Sequence, residues 1–178
     1  ASGYYNGYIS NLRVVKGTAL YTTNFTPSTT PLVNVSSTSL LTCQSNRLVD
    51  ASPYNFTITK SGDTTVVPAN PFATVYDYGT AYYSTYFDGT GDYLLVPLSS
   101  NLAFGTSDYT VECWVYLNTV TGNQGVYTTI DSSGDTWGGI SINFNNTSFQ
   151  AVSYISSPDT ITHQTAVAIG QWYHIAMC

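Results

Sequence analysis

Charged residues are scarce in this chain. They make up 8% of its 178 residues, against roughly 25% in ordinary globular proteins. Only four are basic, and the net charge at neutral pH is −6. So few cations cannot neutralise a phosphate backbone, and the negative balance opposes attachment to anionic lipid. Nucleic-acid binding is therefore excluded, and the polar surface must come from Ser, Thr, Asn, Gln and Tyr.

Residues that favour helices are equally rare. Glu112 is the only glutamate, and no segment carries an apolar stripe at helical spacing over a helix length. No apolar run approaches the roughly 20 residues of a membrane-spanning helix, so we expect no membrane insertion. Tyrosine, valine and threonine are abundant, and 43% of the residues are hydrophobic. This composition predicts an ordered, all-β protein.

Cysteine is sparse too. Cys43, Cys113 and Cys178 are an odd number, and their spacing matches neither a metal site nor a redox motif. We expect them to behave as small buried hydrophobic residues.

Short strands separated by turn residues, at a spacing of about 8–12 residues, predict an antiparallel β-sandwich. The clearest strand spans residues 108–118 and reads DYTVECWVYLN. Strand alternation places Val111, Cys113 and Val115 on one face and Glu112, Trp114 and Tyr116 on the other, and we assign the first face to the core. Further predicted core residues are Leu41, Phe56, Ile58, Phe87, Leu94, Val96, Ile142, Trp172 and Ile175.

Three stretches, in this order, carry a family resemblance: YFDGTGDYLLVP, LAFGTSDYTVECWVYL and QWYHIAM. Together they resemble the laminin G-like domain of the concanavalin A-like lectin/glucanase superfamily, as repeated in phage tail and virion structural proteins. The resemblance implies a jelly-roll sandwich. One segment stands in an unexpected place. GYISNLRVVKGTALYTTNFTP, near the start of this chain, resembles the strand that closes such a domain at its end.

The resemblance therefore divides the chain into three parts. Residues 1–23 would close a preceding repeat, 24–38 would form an extended linker rich in Pro, Ser and Thr, and 39–178 would form the first two-thirds of a second sandwich. That sandwich would be incomplete within this chain, and its missing strands would follow Cys178 or come from another copy.

Catalysis is not expected. The glucanases of the superfamily use paired carboxylates on one strand for a retaining mechanism, and in this chain Trp114 and Tyr116 stand where partners of Glu112 would be needed. We interpret His163 and His174 as structural. The function implied is a non-enzymatic binding or adhesion module of a virion or extracellular protein such as a tail fibre. The alternative is a purely structural fibre or decoration subunit, and a glycan hydrolase is a weaker third.

Its partners would be a cell-surface glycan or other copies of the same protein in an oligomeric assembly. Exposed aromatic rings stack on sugar rings, while amide groups bond the hydroxyls. Trp137, next to two glycines, is the candidate stacking residue, with Tyr127, Asn143 and Asn145 nearby in sequence.

No cofactor is required by any motif. Asp131 and Asp135 flank a tight turn, and carboxylates from loops can hold calcium. The same DSSGD sequence also suits an ordinary turn without metal. Both interpretations stay open at this stage.

Overall fold

The computed structural model describes residues 3–72, 82–129, 139–153, 159–163 and 166–178, and strands are the main regular elements of these ranges. The one helical element among them is a short 3-10 turn, Ser100–Leu102. The described residues contain no helix with the length and apolar character needed to cross a membrane. The strands are β1 Asn6–Lys16, β2 Thr38–Thr42, β3 Thr59–Ser61, β4 Thr65–Val67, β5 Ser84–Asp88, β6 Tyr93–Leu95, β7 Tyr109–Leu117, β8 Asn123–Thr128, β9 Ile140–Asn145, β10 Ser148–Ser153, β11 Asp159–Thr162 and β12 Trp172–Met177.

Two antiparallel sheets form the sandwich. The larger has six strands in the order β12-β7-β1-β5-β4, with β2 also paired to β1, and the smaller has the order β11-β10-β9-β8. β3 and β6 form a separate ribbon of two strands. The predicted all-β antiparallel sandwich is thus confirmed.

The core lies between the two larger sheets. Val111, Cys113 and Val115 from β7 face Ile142 and other apolar residues of β9 across it. Each of these β7 side chains is at most 1% exposed, so the predicted inward face of the strand is confirmed.

Of the other predicted core residues, Phe56, Leu94 and Val96 are partly buried against the core, and Ile58 is half-buried outside it. Trp172 is half-buried on the outer face of the six-stranded sheet, so its assignment to the core is wrong. The reason is alternation, since Ile175 on the same strand does face the core. Cys43 and Cys113 are buried as predicted, whereas Cys178 is exposed.

The N-terminal strand β1 occupies the middle of the six-stranded sheet. It pairs with β7 along one side, and with β5 and then β2 along the other. Gly7 permits this close approach, because a Cβ atom there would lie 2.0 Å from the Tyr116 carbonyl oxygen. In this chain, then, residues 6–16 complete the same sandwich that the later strands form. The assignment of residues 1–23 to a preceding repeat stays a prediction.

A β-bulge divides β1 into two halves. The register with β7 shifts between Ser10 and Arg13, and Asn11 adopts a positive φ of 54° there. The Asn11 amide is fully buried and accepts bonds from the Leu32 backbone N–H and the Gln44 side chain. Since one extra residue reverses the alternation, Arg13 points to the outer face of the sheet, where it lies opposite Glu112.

Residues 17–37, which we call the strap, join β1 to β2 without regular secondary structure. The strap lies against the outer face of the six-stranded sheet. The Leu20 N–H donates to the Thr110 hydroxyl at 2.8 Å, and Arg13 donates to the Val33 carbonyl at 2.8 Å. The predicted extended linker of residues 24–38 corresponds to most of the strap.

Candidate functional site

Four aromatic side chains form a row across the outer face of the six-stranded sheet. Trp172, Tyr116, Tyr8 and Tyr86 come from the adjacent strands β12, β7, β1 and β5, and each lies directly opposite the next. Neighbouring ring centroids are 5.5, 5.5 and 5.0 Å apart along this aromatic row. Four strands span about 14 Å from first to last, which is comparable with a short oligosaccharide.

The aromatic row is accessible along the sheet. All four side chains are half-buried, whereas Ser10, Thr110 and Glu112 further along the outer face are fully buried. Phe72 packs edge-on against Trp114, and Phe25 packs against His174, with centroid distances of 5.8 and 5.6 Å. Among the described residues, the strap and Phe72 therefore cover the part of this face around Trp114 and His174 and leave the aromatic row half-buried.

The polar tips of these rings are free within the described part of the chain. The hydroxyls of Tyr8, Tyr86 and Tyr116 and the indole N–H of Trp172 make no hydrogen bond to any described residue. A half-buried ring with an unpaired polar tip can pack against the apolar face of a ligand and bond its hydroxyls at the same time.

A row of amide and carboxylate groups flanks the aromatic row. Asn6 and Asp88 are opposite each other on β1 and β5, two residues beyond Tyr8 and Tyr86 on the same face. The Asn118 amide donates to the Asn6 side-chain oxygen at 3.1 Å, which continues this polar row to β7. Rings beside amides and a carboxylate form a surface suited to hydroxyl-rich ligands.

On the covered side of the aromatic row lies a buried ionic cluster. Glu112 is 0% exposed, and one of its oxygens accepts hydrogen bonds from two nitrogens of Arg13, from Nε at 2.9 Å and from Nη2 at 2.5 Å. Its other oxygen accepts the Tyr21 hydroxyl at 2.7 Å and lies 3.0 Å from Nε2 of His174. Both carboxylate oxygens are therefore fully engaged.

The pKa values in this cluster follow from those contacts. Burial by itself would raise the pKa of Glu112, but hydrogen bonds from His174, Tyr21 and Arg13, together with the charge of Arg13, outweigh it and lower the pKa. Burial and the bond to Glu112 raise the pKa of Tyr21 to about 12. The carboxylate thus stays ionised, and Tyr21 stays protonated as its donor.

Three carboxyl groups meet at the end of β5. Side-chain oxygens of Asp63, Asp88 and Asp92 lie within 4.8 Å of one another. Asp92 is 3% exposed and accepts the backbone N–H groups of Asp63 and Asp88, both at 2.9 Å. Its oxygens therefore tie two turns together, and we call these three residues the acidic corner.

Of the predicted sugar-binding residues that the structure describes, Tyr127 lies on the core side of its sheet, away from Asn143 and Asn145. Tyr127 packs against the core, so its ring is not available for stacking, and burial raises the pKa of its hydroxyl. Asn143 lies on the face of β9 that points away from the core, where it is 5% exposed and hydrogen-bonded to Asn123 and Gln150. Asn145 is exposed at the end of the same strand. Trp137, and the calcium candidates Asp131 and Asp135, lie outside the described residues.

Sequence reasoning missed the aromatic row for an identifiable reason. It expected rings accompanied by amide groups, but it looked for them close together in sequence. Tyr8 and Trp172 are instead brought together by sheet order, with ring centroids 6.4 Å apart. The signal available in the sequence was that four separate strands each carry an aromatic residue on the face that points away from the core.

Two facing antiparallel sheets, with rings and amides arrayed on one outer surface, define a β-sandwich binding module for carbohydrate or protein ligands. The family model described as the concanavalin A-like lectin/glucanases superfamily, of laminin G type, matches residues 88–178, just over half of the chain. The chain belongs to that family. No curated protein and no solved structure matches it. The matched part begins at the end of β5, so β1 and the strap lie outside it.

Proposed function

We propose that this chain is a non-enzymatic glycan-binding module and that the aromatic row is its binding surface. The observation that carries the proposal is the alignment of Trp172, Tyr116, Tyr8 and Tyr86 in one half-buried row, with polar tips that bond to no described residue. The polar row of Asn118, Asn6 and Asp88 supplies groups for sugar hydroxyls beside it.

The state of Glu112 supports the non-enzymatic part of the proposal. A glycosidase needs a carboxylate that can reach the scissile bond and exchange a proton or bond with it. Glu112 is the only glutamate of the chain, and it is buried with both oxygens bonded to Arg13, Tyr21 and His174. It serves as an anchor for the strap.

The wider setting we propose is a larger extracellular or virion structural protein, such as a phage tail fibre or appendage. A surface poor in charge and rich in hydroxyl and amide groups supports it, because such a surface suits repeated contact with glycans. In that setting the module would attach the assembly to a cell-surface glycan.

The test is affinity electrophoresis and calorimetry of the protein against a panel of polysaccharides. Trp172→Ala and Tyr116→Ala should each weaken binding about tenfold or more, since a few aromatic residues dominate such interfaces. Tyr54→Ala is the matched control, because Tyr54 is 47% exposed on a turn outside the row. Circular dichroism would verify that each variant is folded.

Two results would contradict the proposal. One is glycan binding that Trp172→Ala and Tyr116→Ala leave unchanged. The other is release of reducing ends from the bound polysaccharide, abolished by Glu112→Gln in a variant that remains folded, since that would make Glu112 a catalyst.

A further inference from the structure

Carboxylates gather at the Tyr86 end of the aromatic row. Asp88 lies on the same face of β5 as Tyr86 and two residues from it, about 7 Å along the strand. Asp63 and Asp92 join Asp88 in the acidic corner. The pKa of Tyr86 is raised, first by burial, then by the neighbouring Tyr8 hydroxyl and then by these three carboxylates. The electrostatic field of the carboxylates therefore reaches the Tyr86 end of the row.

No described cation forms an ion pair with this corner, and one ammonium, that of Lys60, lies near its three carboxylates. The only ion pairs in the described residues join Glu112 to Arg13 and His174. Lys60 donates to the Thr64 carbonyl at 3.2 Å, and no carboxylate of the corner lies within ion-pair distance of it. Lys16 donates to the Ser100 carbonyl, away from the aromatic row. The Tyr86 end of the row is therefore negative.

We infer that the aromatic row accepts uncharged glycan chains and discriminates against acidic ones, with the acidic corner as the discriminating element. This inference rests on the proposed function. A neutral sugar over Tyr86 could donate hydroxyl protons to Asp88 and pack its apolar face on the ring. A uronic acid or sulfated sugar at that place would bring its negative charge towards three carboxylates.

The size of the effect follows from electrostatics. Two like charges about 7 Å apart in water repel enough to change an equilibrium about threefold. Three carboxylates together would weaken binding of an acidic sugar by about tenfold or more at low salt. Because the corner is partly exposed, this discrimination should shrink as ionic strength rises and the Debye length falls below the charge separation.

The experiment uses pairs of polymers that share a backbone and differ in charge: hydroxyethyl cellulose with carboxymethyl cellulose, and dextran with dextran sulfate. Affinity electrophoresis in EDTA, at about 20 mM and about 300 mM salt, gives the affinity for each. We expect binding of at least one neutral polymer, and at least about tenfold weaker binding of its charged counterpart at low salt.

Asp63→Asn is the diagnostic variant. Asp63 is exposed and outside both rows, so its neutralisation should leave neutral-polymer binding unchanged and raise binding of the charged counterpart about threefold at low salt. Asp108→Asn removes an exposed carboxylate at the far end of β7 and should change neither affinity.

The outcomes separate the two claims. If both members of a pair bind equally at low salt and Trp172→Ala abolishes both, the charge inference is wrong and the aromatic row stands. No effect of Asp63→Asn on charged-polymer binding would likewise overturn the inference. If no polymer binds, or if binding ignores Trp172→Ala, the proposed function fails and the inference fails with it.

Discussion

Glu112 carries a full negative charge at a position that water does not reach, and side chains from three different elements compensate it. Arg13 comes from β1, Tyr21 from the strap and His174 from β12. Desolvation makes a buried charge expensive unless every lone pair is satisfied. Removing one of these side chains should therefore lower the free energy of unfolding by more than its own hydrogen bonds contribute, because the remaining groups are left buried and unpaired.

Glu112→Gln should lower the free energy of unfolding by about 3 kcal/mol at pH 7, because Arg13 loses its counter-ion inside the protein. The folded-state pKa of Glu112 is lowered. Its contribution is therefore complete above the unfolded pKa of about 4.3, and it is lost as pH falls below that value. Urea unfolding at pH 7 and at about pH 3 should show the two proteins converging in acid. Asp108→Asn, an exposed control, should stay within about 0.5 kcal/mol of wild type, and a pH-independent gap for Glu112→Gln would contradict this account.

Gly7→Ala should destabilise the protein by about 3 kcal/mol, because the new Cβ would collide with the Tyr116 carbonyl oxygen in the middle of the sheet. Gly105→Ala is the matched control. Gly105 also has a positive φ, of 57°, but no atom lies within 4 Å of its would-be Cβ, so only the backbone cost of about 1 kcal/mol applies. If thermal unfolding shows the same loss of stability for both variants, β1 and β7 must be able to separate and make room for the new Cβ.

Single residues also mark where sequence reasoning succeeds and where it stops. Alternation along β7 was enough to orient Val111 and Glu112 correctly, because a regular strand has a strict period of two. It could not pair Arg13 with Glu112, since that contact depends on the bulge at Asn11. A bulge leaves little trace in a sequence, so the ionic cluster was beyond prediction.

At the scale of elements, the strap shows how an irregular segment can be held in place. Its Pro, Ser and Thr content predicts the lack of regular structure, but not the side chains that fix it. Asn11 accepts the Leu32 N–H at 2.7 Å, and Glu112 accepts the Tyr21 hydroxyl at 2.7 Å. These anchors come from distant parts of the chain, which is why the sequence predicts an extended segment but not its path.

Tyr21→Phe should release the first half of the strap while leaving the sheets intact. It removes one hydrogen bond to a buried carboxylate, a loss of about 2 kcal/mol. Hydrogen exchange of the Leu20 amide, which donates to the Thr110 hydroxyl, should accelerate more than exchange within β7. Tyr4→Phe, at a tyrosine that is 51% exposed, is the control and should leave exchange unchanged. Uniform acceleration across β7 and the strap would mean that the strap does not open as a separate unit.

At the scale of the whole molecule, the aromatic row is a product of sheet order. Two of its four members lie on β5 and β1, at the boundary of the family-matched part or before it. Composition and spacing could predict the sandwich, because local patterns specify strands. They could not predict which strands become neighbours, so the sequence did not predict the row.

Removing residues 1–16 should abolish cooperative folding. β1 separates β7 from β5 and β2, so its loss leaves β2 without a partner strand, leaves one edge each of β7 and β5 unpaired, and uncovers apolar residues such as Val111. Near-ultraviolet circular dichroism should lose its aromatic signal and dye binding should rise. A synthetic peptide of residues 3–37 added to the truncated chain should restore part of the signal. A truncated protein that keeps a sharp thermal transition alone would show that β1 is dispensable.

The bulge at Asn11 also fixes the length of β1. Before it, even-numbered residues such as Tyr8 face the outer side of the sheet, and after it the odd-numbered Arg13 does. Loss of one residue at this point would turn the rest of the strand over, presenting a valine to the Glu112 carboxylate and placing the guanidinium among apolar side chains. Natural variants of this domain should therefore tolerate many substitutions in the strap, but very few changes in length between Tyr8 and Arg13.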